Sequence, residues 1–229
     1  MSIGLGVVLP NGVILASDTR QRNAFGPASY EDVPGKLERL TDEIWAIQIG
    51  VTVATEMALS KVREGLRPNL DSTEISKLVR NATCSAWEEF KRALGLTEES
   101  ELAAILLVGG LAKDSPFLCG SYQTCYVREG RREGVPRFVV LNPFNFVMFG
   151  GKATSTHYST LENGLKTIKR LPGDPVPSVL ELIRTVMEEA AGSDPGVGGE
   201  IEYVVIRRDS IPEHGSLGVI KNAEPVNPR

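Results

Sequence analysis

The chain has 229 residues, of which 41% are hydrophobic and 24% are charged, and its formal net charge is −4. This length and apolar content favour one globular domain with a sizeable core and exclude a mainly disordered chain. The acidic balance argues against a nucleic-acid partner, because phosphate binding requires clustered Lys and Arg side chains. No apolar run approaches the length of a membrane span and no secretory signal precedes the first strand, so we expect a cytoplasmic protein with no membrane partner.

The three cysteines, Cys84, Cys119 and Cys125, are odd in number and lack the spacing of a metal site. Reduced thiols of a cytosolic protein are therefore the expected state. We expect neither a metal nor a cofactor. His157 lies at helical spacing among apolar residues, and we interpret it as a packing or surface residue.

The first twenty residues predict a β-hairpin that begins directly behind Ser2. Its strands are the apolar stretches Ile3 to Leu9 and Val13 to Ala16, and its turn is Pro10-Asn11-Gly12. The Asn-Gly pair is expected to supply the positive φ angles of a tight turn. Because a hairpin returns its second strand to the level at which the first begins, we expect Ser2 to lie near Asp18, Thr19 and Arg20.

The next part of the chain predicts a polar loop, two short strands and a helix. The loop covers Gln21 to Gly35, the strands cover Leu37 to Leu40 and Ile44 to Ile49, and the helix covers Thr52 to Leu66. The buried face of this helix is predicted to consist of Val53, Met57, Ala58 and Val62.

A second helix and a buried strand are predicted next. Asp71 to Glu74 has the pattern of a capping box, and the apolar stripe that follows it continues to Leu94, before Gly95. Leu102 to Leu111 is a continuous aliphatic run that is too short for a membrane, so it predicts a strand buried on both faces.

The remaining sequence predicts more strands around a second pair of helices. Meander strands are predicted at Phe117 to Gly120, Gln123 to Arg128, Arg137 to Asn142 and Asn145 to Phe149, with turns at Gly120-Ser121, Glu129-Gly130 and Asn142-Pro143. The helices are predicted at Thr154 to Ile168 and from Asp174-Pro175 to a C-cap at Gly192, and the last strands at Glu200 to Arg207 and Leu217 to Ile220.

In this order the helices come in pairs and the strands in runs. Such an order favours an α+β fold built as a four-layer αββα sandwich, rather than a parallel sheet built of βαβ units. We expect a single domain over residues 1–221 and a C-terminal tail over residues 222–229.

Five segments, taken in their order along the chain, give a more specific indication. They are GLGVVLPNGVILASDTR at 4–20, GKLERL at 35–40, IWAIQIG at 44–50, ILLVGG at 105–110 and SDPGVGGEIEYVVI at 193–206. In this order they resemble the proteasome β-subunit superfamily of N-terminal-nucleophile (Ntn) hydrolases, which includes HslV and the Anbu proteins. The segment ASDTR is especially similar to Anbu. The resemblance covers most of the chain and implies a proteasome-like sandwich that hydrolyses amide bonds.

The resemblance also implies roles for five residues. Ser2 stands where the family has its nucleophilic threonine, Asp18 falls on the acidic residue after the second strand, and Lys36 falls on the catalytic lysine. Gly50 corresponds to the glycine whose backbone N–H polarises the scissile carbonyl, and Asp194 corresponds to the acid near the terminus.

The chemistry of this set can be stated without the family. A terminal α-amine has a pKa of about 8, so after removal of Met1 a useful fraction would be free base within reach of the Ser2 hydroxyl. Lys36 as an ammonium would favour the neutral amine and help to stabilise an alkoxide, and Asp18 would hold that ammonium in place. Taken singly, each residue also has a structural explanation, such as an Asp18–Lys36 ion pair that only supports the fold.

Some positions depart from the family pattern. Serine replaces threonine at position 2, Lys152 and Val197 stand where the proteasome branch has serines, and Arg22 replaces a threonine that pairs with the substrate backbone. These departures keep open a second interpretation, a non-catalytic assembly or scaffold protein. A third interpretation is an acylase or transpeptidase that acts on a specific amide with the same site.

The first interpretation is a peptidase that acts on a peptide or another amide substrate, with Arg20, Arg22 and Val51 as candidate substrate-binding residues. We expect no propeptide other than Met1, so activation would depend on an aminopeptidase, as in HslV. Members of the family assemble through their helix pairs, and we therefore expect a homo-oligomer, either a ring or a related assembly. Whether an ATP-dependent unfoldase is a partner is left open.

Overall fold

The computed structural model describes residues 3–22, 30–95, 102–113, 115–124, 127–128, 131–132, 138–150 and 154–220. Predictions that fall outside the described residues concern Ser2, Cys125, the Glu129-Gly130 turn, Lys152 and the tail over residues 222–229. Arg22 is described by its backbone alone.

The described residues form strands and helices in the following order. The strands are β1 (Gly4–Leu9), β2 (Gly12–Asp18), β3 (Arg20–Arg22), β4 (Tyr30–Asp32), β5 (Leu37–Arg39), β6 (Ile44–Gly50), β7 (Ala103–Leu111), β8 (Pro116–Thr124), β9 (Val127–Arg128), β10 (Arg131–Arg132), β11 (Phe138–Val140), β12 (Phe146–Phe149), β13 (Gly199–Arg207) and β14 (Glu213–Ile220). The helices are α1 (Thr52–Gly65), α2 (Ser72–Leu94), α3 (Thr154–Ile168) and α4 (Val176–Ser193).

Two five-stranded antiparallel sheets dominate the described structure. The first has the strand order β12-β1-β2-β13-β14, and the second has the order β11-β8-β7-β6-β5. The remaining strands form two-stranded ribbons, β3 with β4 and β9 with β10. The described chain is therefore a mixed α/β fold with antiparallel sheets and four helices.

Three of the four hydrophobic clusters among the described residues cover most of the buried faces of both sheets. In one, Val8, Val13 and Leu15 of the first sheet pack with Ile47, Leu107 and Leu118 of the second. In another, the opposite face of the first sheet packs against α3 and α4, and in the third the opposite face of the second sheet packs against α1 and α2. Because side chains alternate along a strand, burial of both faces leaves no place for a polar stripe in β1 or β7.

The first helix pair begins and ends close to its predicted positions. In α2, Asp71 Oδ1 accepts a hydrogen bond from Glu74 N at 2.8 Å, and Glu74 Oε2 accepts one from Asp71 N at 2.9 Å, which confirms the capping box. Gly95 ends α2 with a φ of 60°, a left-handed conformation that glycine adopts without steric cost. In α1 the prediction is partly wrong, because Val53 is 56% exposed and Ala54 and Leu59 lie on the buried face.

The start and end of α4 differ by one or two residues from the prediction. Pro175 rather than Asp174 occupies the N-cap position, although Asp174 Oδ1 still accepts a hydrogen bond from Val176 N at 3.1 Å. The helix continues past Gly192 to Ser193, and Asp194 is its C-cap residue with an extended φ of −132°.

The prediction for the loop of the opening hairpin is wrong in its details. Leu9 pairs with Gly12, so the loop consists of Pro10 and Asn11, and neither Asn11 nor Gly12 has a positive φ. Gly12 is required for a different reason. A Cβ atom at this position would lie 2.1 Å from the carbonyl oxygen of Ile206, because β13 passes close to the start of β2.

The strands between the helix pairs also differ from the predicted meander. β8 continues through Gly120-Ser121 without a turn, because each of these residues pairs with β7. β11 then joins the second sheet, whereas β12 pairs with β1 in the first. The chain therefore crosses from one sheet to the other between Val140 and Phe146, where Phe144 N donates to Val8 O at 2.7 Å. The predicted loop over Gln21 to Gly35 contains the β3–β4 ribbon.

Cys84 and Cys119 are free thiols, and burial raises the pKa of Cys119 above its ordinary value. Among the helices of the described residues, none is both long enough and apolar enough to cross a membrane.

The contact at Gly12 predicts a large difference between two glycine substitutions. Gly12→Ala should lower the free energy of unfolding by about 1–3 kcal/mol, because the added methyl group would overlap a backbone carbonyl that cannot move without shifting β13. Gly192→Ala is the matched control, since a Cβ there meets no atom within 4 Å and helical Ala is favoured over Gly by about 0.5–1 kcal/mol. Urea denaturation of both variants measures the difference, and equal stabilities would contradict the close approach of β2 and β13.

Candidate functional site

The side chain of Asp18, the last residue of β2, is fully buried. Antiparallel pairing with β1 brings it back to Ile3, whose backbone N donates to Asp18 Oδ1 at 3.0 Å. The other carboxylate oxygen, Oδ2, accepts a hydrogen bond from Gly198 N at 3.0 Å. One carboxylate therefore links the start of β1 to the loop that precedes β13.

Lys36 supplies the cation of the site. It lies immediately before β5 with 4% of its surface exposed, and its Nζ atom is 3.1 Å from Asp18 Oδ1. The same ammonium donates to the backbone carbonyl oxygen of Arg20. The predicted proximity of Asp18 and Lys36 is thus present as a buried ion pair.

Burial and pairing act in opposite directions on both members of this pair. Burial raises the pKa of Asp18 from its ordinary value, while the charge of Lys36 and the N–H groups of Gly198 and Ile3 oppose that rise. Burial lowers the pKa of Lys36, and the charge of Asp18 opposes that decrease. Three donors converge on the Asp18 oxygens, which suits a carboxylate, because an ionised carboxyl group only accepts hydrogen bonds.

Gly50 ends β6 on the side of the sheet where Lys36 lies. The backbone N–H groups along β6 alternate in direction. The N–H of Val51 donates to Ala103 O on the β7 side at 2.9 Å, and the N–H of Gln48 donates to Lys36 O on the β5 side at 2.9 Å. By this alternation the Gly50 N–H points to the same side as that of Gln48. Gly50 has a φ of +94°, and a Cβ there would lie 2.1 Å from Ala103 O, so no other residue fits without strain.

Asp194 shapes the loop that reaches Asp18. As the C-cap residue of α4, it accepts a hydrogen bond from Gly196 N on Oδ1 at 2.8 Å, and its carbonyl oxygen accepts one from Val197 N at 3.0 Å. The turn leads directly to Gly198, the donor to Asp18. Asp194 is therefore connected to the ion pair through the backbone of this loop.

The three residues predicted to bind substrate have different environments. The Arg20 side chain is paired with Asp32, with Nε 3.0 Å from Oδ1. Val51 is the N-cap residue of α1, and its half-buried side chain packs against the cluster that contains Trp87 and Ala104. The backbone of Arg22 belongs to β3, opposite Tyr30 of β4.

Three further residues, for which the sequence predicts no role, support the site. Ser17 Oγ donates to Ile3 O at 3.1 Å, and Thr19 Oγ1 accepts a hydrogen bond from Glu200 N at 2.9 Å. Gly198 donates to Asp18 from a position 180 residues away in sequence. The Gly198-Gly199 pair before a strand was the available signal, but a loop explains such a pair equally well.

The Lys36 ammonium and the Ile3 amide nitrogen both donate to Asp18 Oδ1, and the Gly50 N–H points to the β5 side of β6. The Lys36 ammonium and the Gly50 N–H can stabilise negative charge that develops on a hydroxyl or carbonyl oxygen, whereas the Ile3 N–H is already donated to Asp18 Oδ1. Within the described ranges, no cluster of three or more His, Cys, Asp or Glu side chains has the geometry of a metal site.

Comparison with known proteins supports the fold more than the chemistry. No protein-family model matches the sequence, and no curated protein gives a significant match to it. A solved structure, described as the "Helical Assembly of the Anbu Complex from Pseudomonas aeruginosa", is similar over 94% of this chain and 86% of its own, with a TM-score of 0.67 and 16% sequence identity. At that identity the similarity concerns the fold alone, and on this basis the chain has a proteasome-like fold.

Proposed function

We propose that this chain is an N-terminal-nucleophile amide hydrolase, a peptidase that uses Ser2 after removal of Met1. The observation that supports this proposal is the double contact of Asp18, whose Oδ1 atom binds both Ile3 N and Lys36 Nζ. Ser2 is bonded to that same Ile3 nitrogen through its carbonyl carbon. The residue that would carry the nucleophile is thus covalently attached to an atom of the buried cluster.

We also propose that the domain is a four-layer αββα sandwich of the proteasome-like Ntn-hydrolase type. This proposal is supported by the spatial arrangement of three hydrophobic clusters. One lies between the two sheets, and one lies between each sheet and its helix pair. Residues 1–221 would form this single domain, with residues 222–229 as a tail.

In the proposed reaction the Ser2 hydroxyl attacks the carbonyl carbon of an amide and transfers its proton to its own α-amine. The tetrahedral intermediate then collapses, the α-ammonium returns the proton to the leaving amine, and an ester forms on Ser2. Water attacks this ester with the α-amine again as the base, which releases the acid and restores Ser2.

The other residues have electrostatic and positioning roles in this scheme. Lys36 as an ammonium keeps the α-amine neutral and stabilises the alkoxide, and Asp18 holds Lys36. The Gly50 N–H binds the oxyanion, and Asp194 shapes the loop that holds Asp18. Arg20, Arg22 and Val51 would contact the substrate.

Replacement of the hydroxyl tests the proposed nucleophile. Ser2→Ala should lower the rate of hydrolysis of fluorogenic peptides by about a thousandfold or more, because no other group takes over the attack. Ser2→Thr, which keeps the hydroxyl, is the matched control and should retain activity.

Intact mass spectrometry must show that Met1 is absent from the wild type and from both variants, since a blocked Ser2 cannot act as its own base. Peptide hydrolysis by Ser2→Ala at the wild-type rate would rule out this nucleophile. A wild type that retains Met1 and is inactive would favour the scaffold interpretation.

The proposal also predicts a bell-shaped dependence of activity on pH. Activity should rise with pH as the α-amine loses its proton, at about pH 8 or below. It should fall again at a pH below 10.5, because burial lowers the pKa of Lys36 from that ordinary value and the mechanism requires its ammonium form. Steady-state kinetics from pH 5 to 11 measures both limbs. In Lys36→Arg, whose side chain stays charged, an unchanged alkaline limb would exclude Lys36 as its cause.

We further propose that the chain forms a homo-oligomer, as a ring or a related assembly. The similar solved structure is a helical assembly of the Anbu complex, and this supports the proposal by analogy. Light scattering at micromolar concentration should therefore give a mass that is a multiple of 24.8 kDa. A monomer throughout this range would contradict the prediction.

A further inference from the structure

The β3–β4 ribbon next to the ion pair carries a second, partly exposed ion pair. Arg20 lies directly opposite Asp32, and its guanidinium group binds both carboxylate oxygens, with Nε–Oδ1 at 3.0 Å and Nη2–Oδ2 at 3.4 Å. The Arg20 side chain is 19% exposed and that of Asp32 is 49% exposed. A two-point contact of this kind restricts the orientation of the arginine as well as its charge.

Asp32 also lies against the loop that holds Asp18. A Cβ atom at Gly199 would be 2.8 Å from Asp32 Oδ1 and 2.3 Å from Thr19 Oγ1, so these two side chains pack directly over the glycine. Gly199 has a φ of +75°, which an L side chain rarely adopts. The ribbon therefore meets the first residue of β13 at a position that has no space for a side chain.

The backbone of Arg20 connects this contact to Lys36. Arg20 N donates to Gly198 O at 3.1 Å, while Arg20 O accepts a hydrogen bond from Lys36 Nζ. The N–H of the same Gly198 donates to Asp18 Oδ2. A shift of the Arg20 main chain would therefore move two groups together. One is the carbonyl oxygen that accepts a hydrogen bond from Lys36 Nζ, and the other is the N–H that donates to Gly198 O.

The negative charge of Asp32 also favours the ammonium form of Lys36. Asp18 on β2, Asp32 on β4 and Glu202 on β13 each raise the pKa of Lys36 by their negative charge, against the larger effect of burial. Removal of the Asp32 charge alone should therefore make Lys36 lose its proton at a lower pH.

We propose that Asp32 is a positioning residue of the site, which holds the Arg20 side chain and thereby keeps the Arg20 carbonyl oxygen on the ammonium of Lys36. The expected effect of Asp32 on catalysis rests on the proposed amide hydrolysis. A half-exposed ion pair contributes little to global stability. The effect of losing it should therefore appear in the site and not in the unfolding of the whole domain.

The test compares Asp32→Asn with Glu31→Gln. Both changes remove one negative charge from the exposed strand β4 and keep the size of the side chain, but Glu31 lies opposite Gln21 and not opposite Arg20. For Asp32→Asn we expect kcat to fall by about tenfold or more, because a displaced acceptor misaligns Lys36. The alkaline limb of the pH profile should move to lower pH. Glu31→Gln should match the wild type in each of these measurements.

Hydrogen exchange followed by mass spectrometry gives a readout that does not need activity. In Asp32→Asn, peptides covering residues 19–22, 30–36 and 196–200 should exchange faster, with the rest of the described chain unchanged. If the wild type hydrolyses no amide, the proposed function fails, and exchange alone then decides the positioning role. If Asp32→Asn behaves as Glu31→Gln in exchange, the inference is overturned. Faster exchange with unchanged kcat and an unchanged alkaline limb would also overturn it, because Asp32 would then only stabilise the ribbon.

Discussion

The described structure depends on the solvation of one buried carboxylate. Asp18 is completely removed from water, and a charge in that position costs several kcal/mol unless protein groups replace the lost hydration. Ile3, Lys36 and Gly198 provide that replacement, each from a different part of the chain. The first strand, the entrance to the second sheet and the loop before β13 must therefore be in place together, and a chain that lacks any one of them leaves a charge uncompensated.

The two sheets and the ion pair support each other. Asp18 ends a strand of the first sheet, whereas Lys36 leads into the edge strand of the second, so their contact crosses between the sheets. The hydrophobic cluster between the sheets excludes water and strengthens the attraction, and the same burial moves the two pKa values toward each other. The proposed hydrolysis requires the ammonium form of Lys36, which the charge of Asp18 favours against the effect of burial.

Much of the secondary structure could be predicted from local pattern. The hairpin strands, the capping box at Asp71 and the buried strand β7 all follow from short-range signals, because caps and alternation act over a few residues. Two of the failures have a common origin in contacts between distant segments. The sequence predicts a turn at Gly12, although the close approach of β13 explains this glycine, and it predicts a turn at Gly120-Ser121, although pairing with β7 continues through both residues. A glycine indicates that either the space for a side chain or the backbone conformation is restricted at that position, but the sequence does not distinguish between the two.

The sequence by itself led to a proposal for the candidate site, since its resemblance to a known superfamily implies roles for Ser2, Asp18, Lys36, Gly50 and Asp194. It also determined that both helix pairs and most of the strands would form, because amphipathic and aliphatic patterns are local properties. Only the tertiary structure decided which groups complete the charge cluster. Gly198 binds Asp18 across 180 residues, and Asp32 binds Arg20 across a ribbon that the sequence presents as a polar loop. Hydrogen bonds of this kind depend on where two sheets and a loop meet, and no spacing along the chain encodes that meeting point.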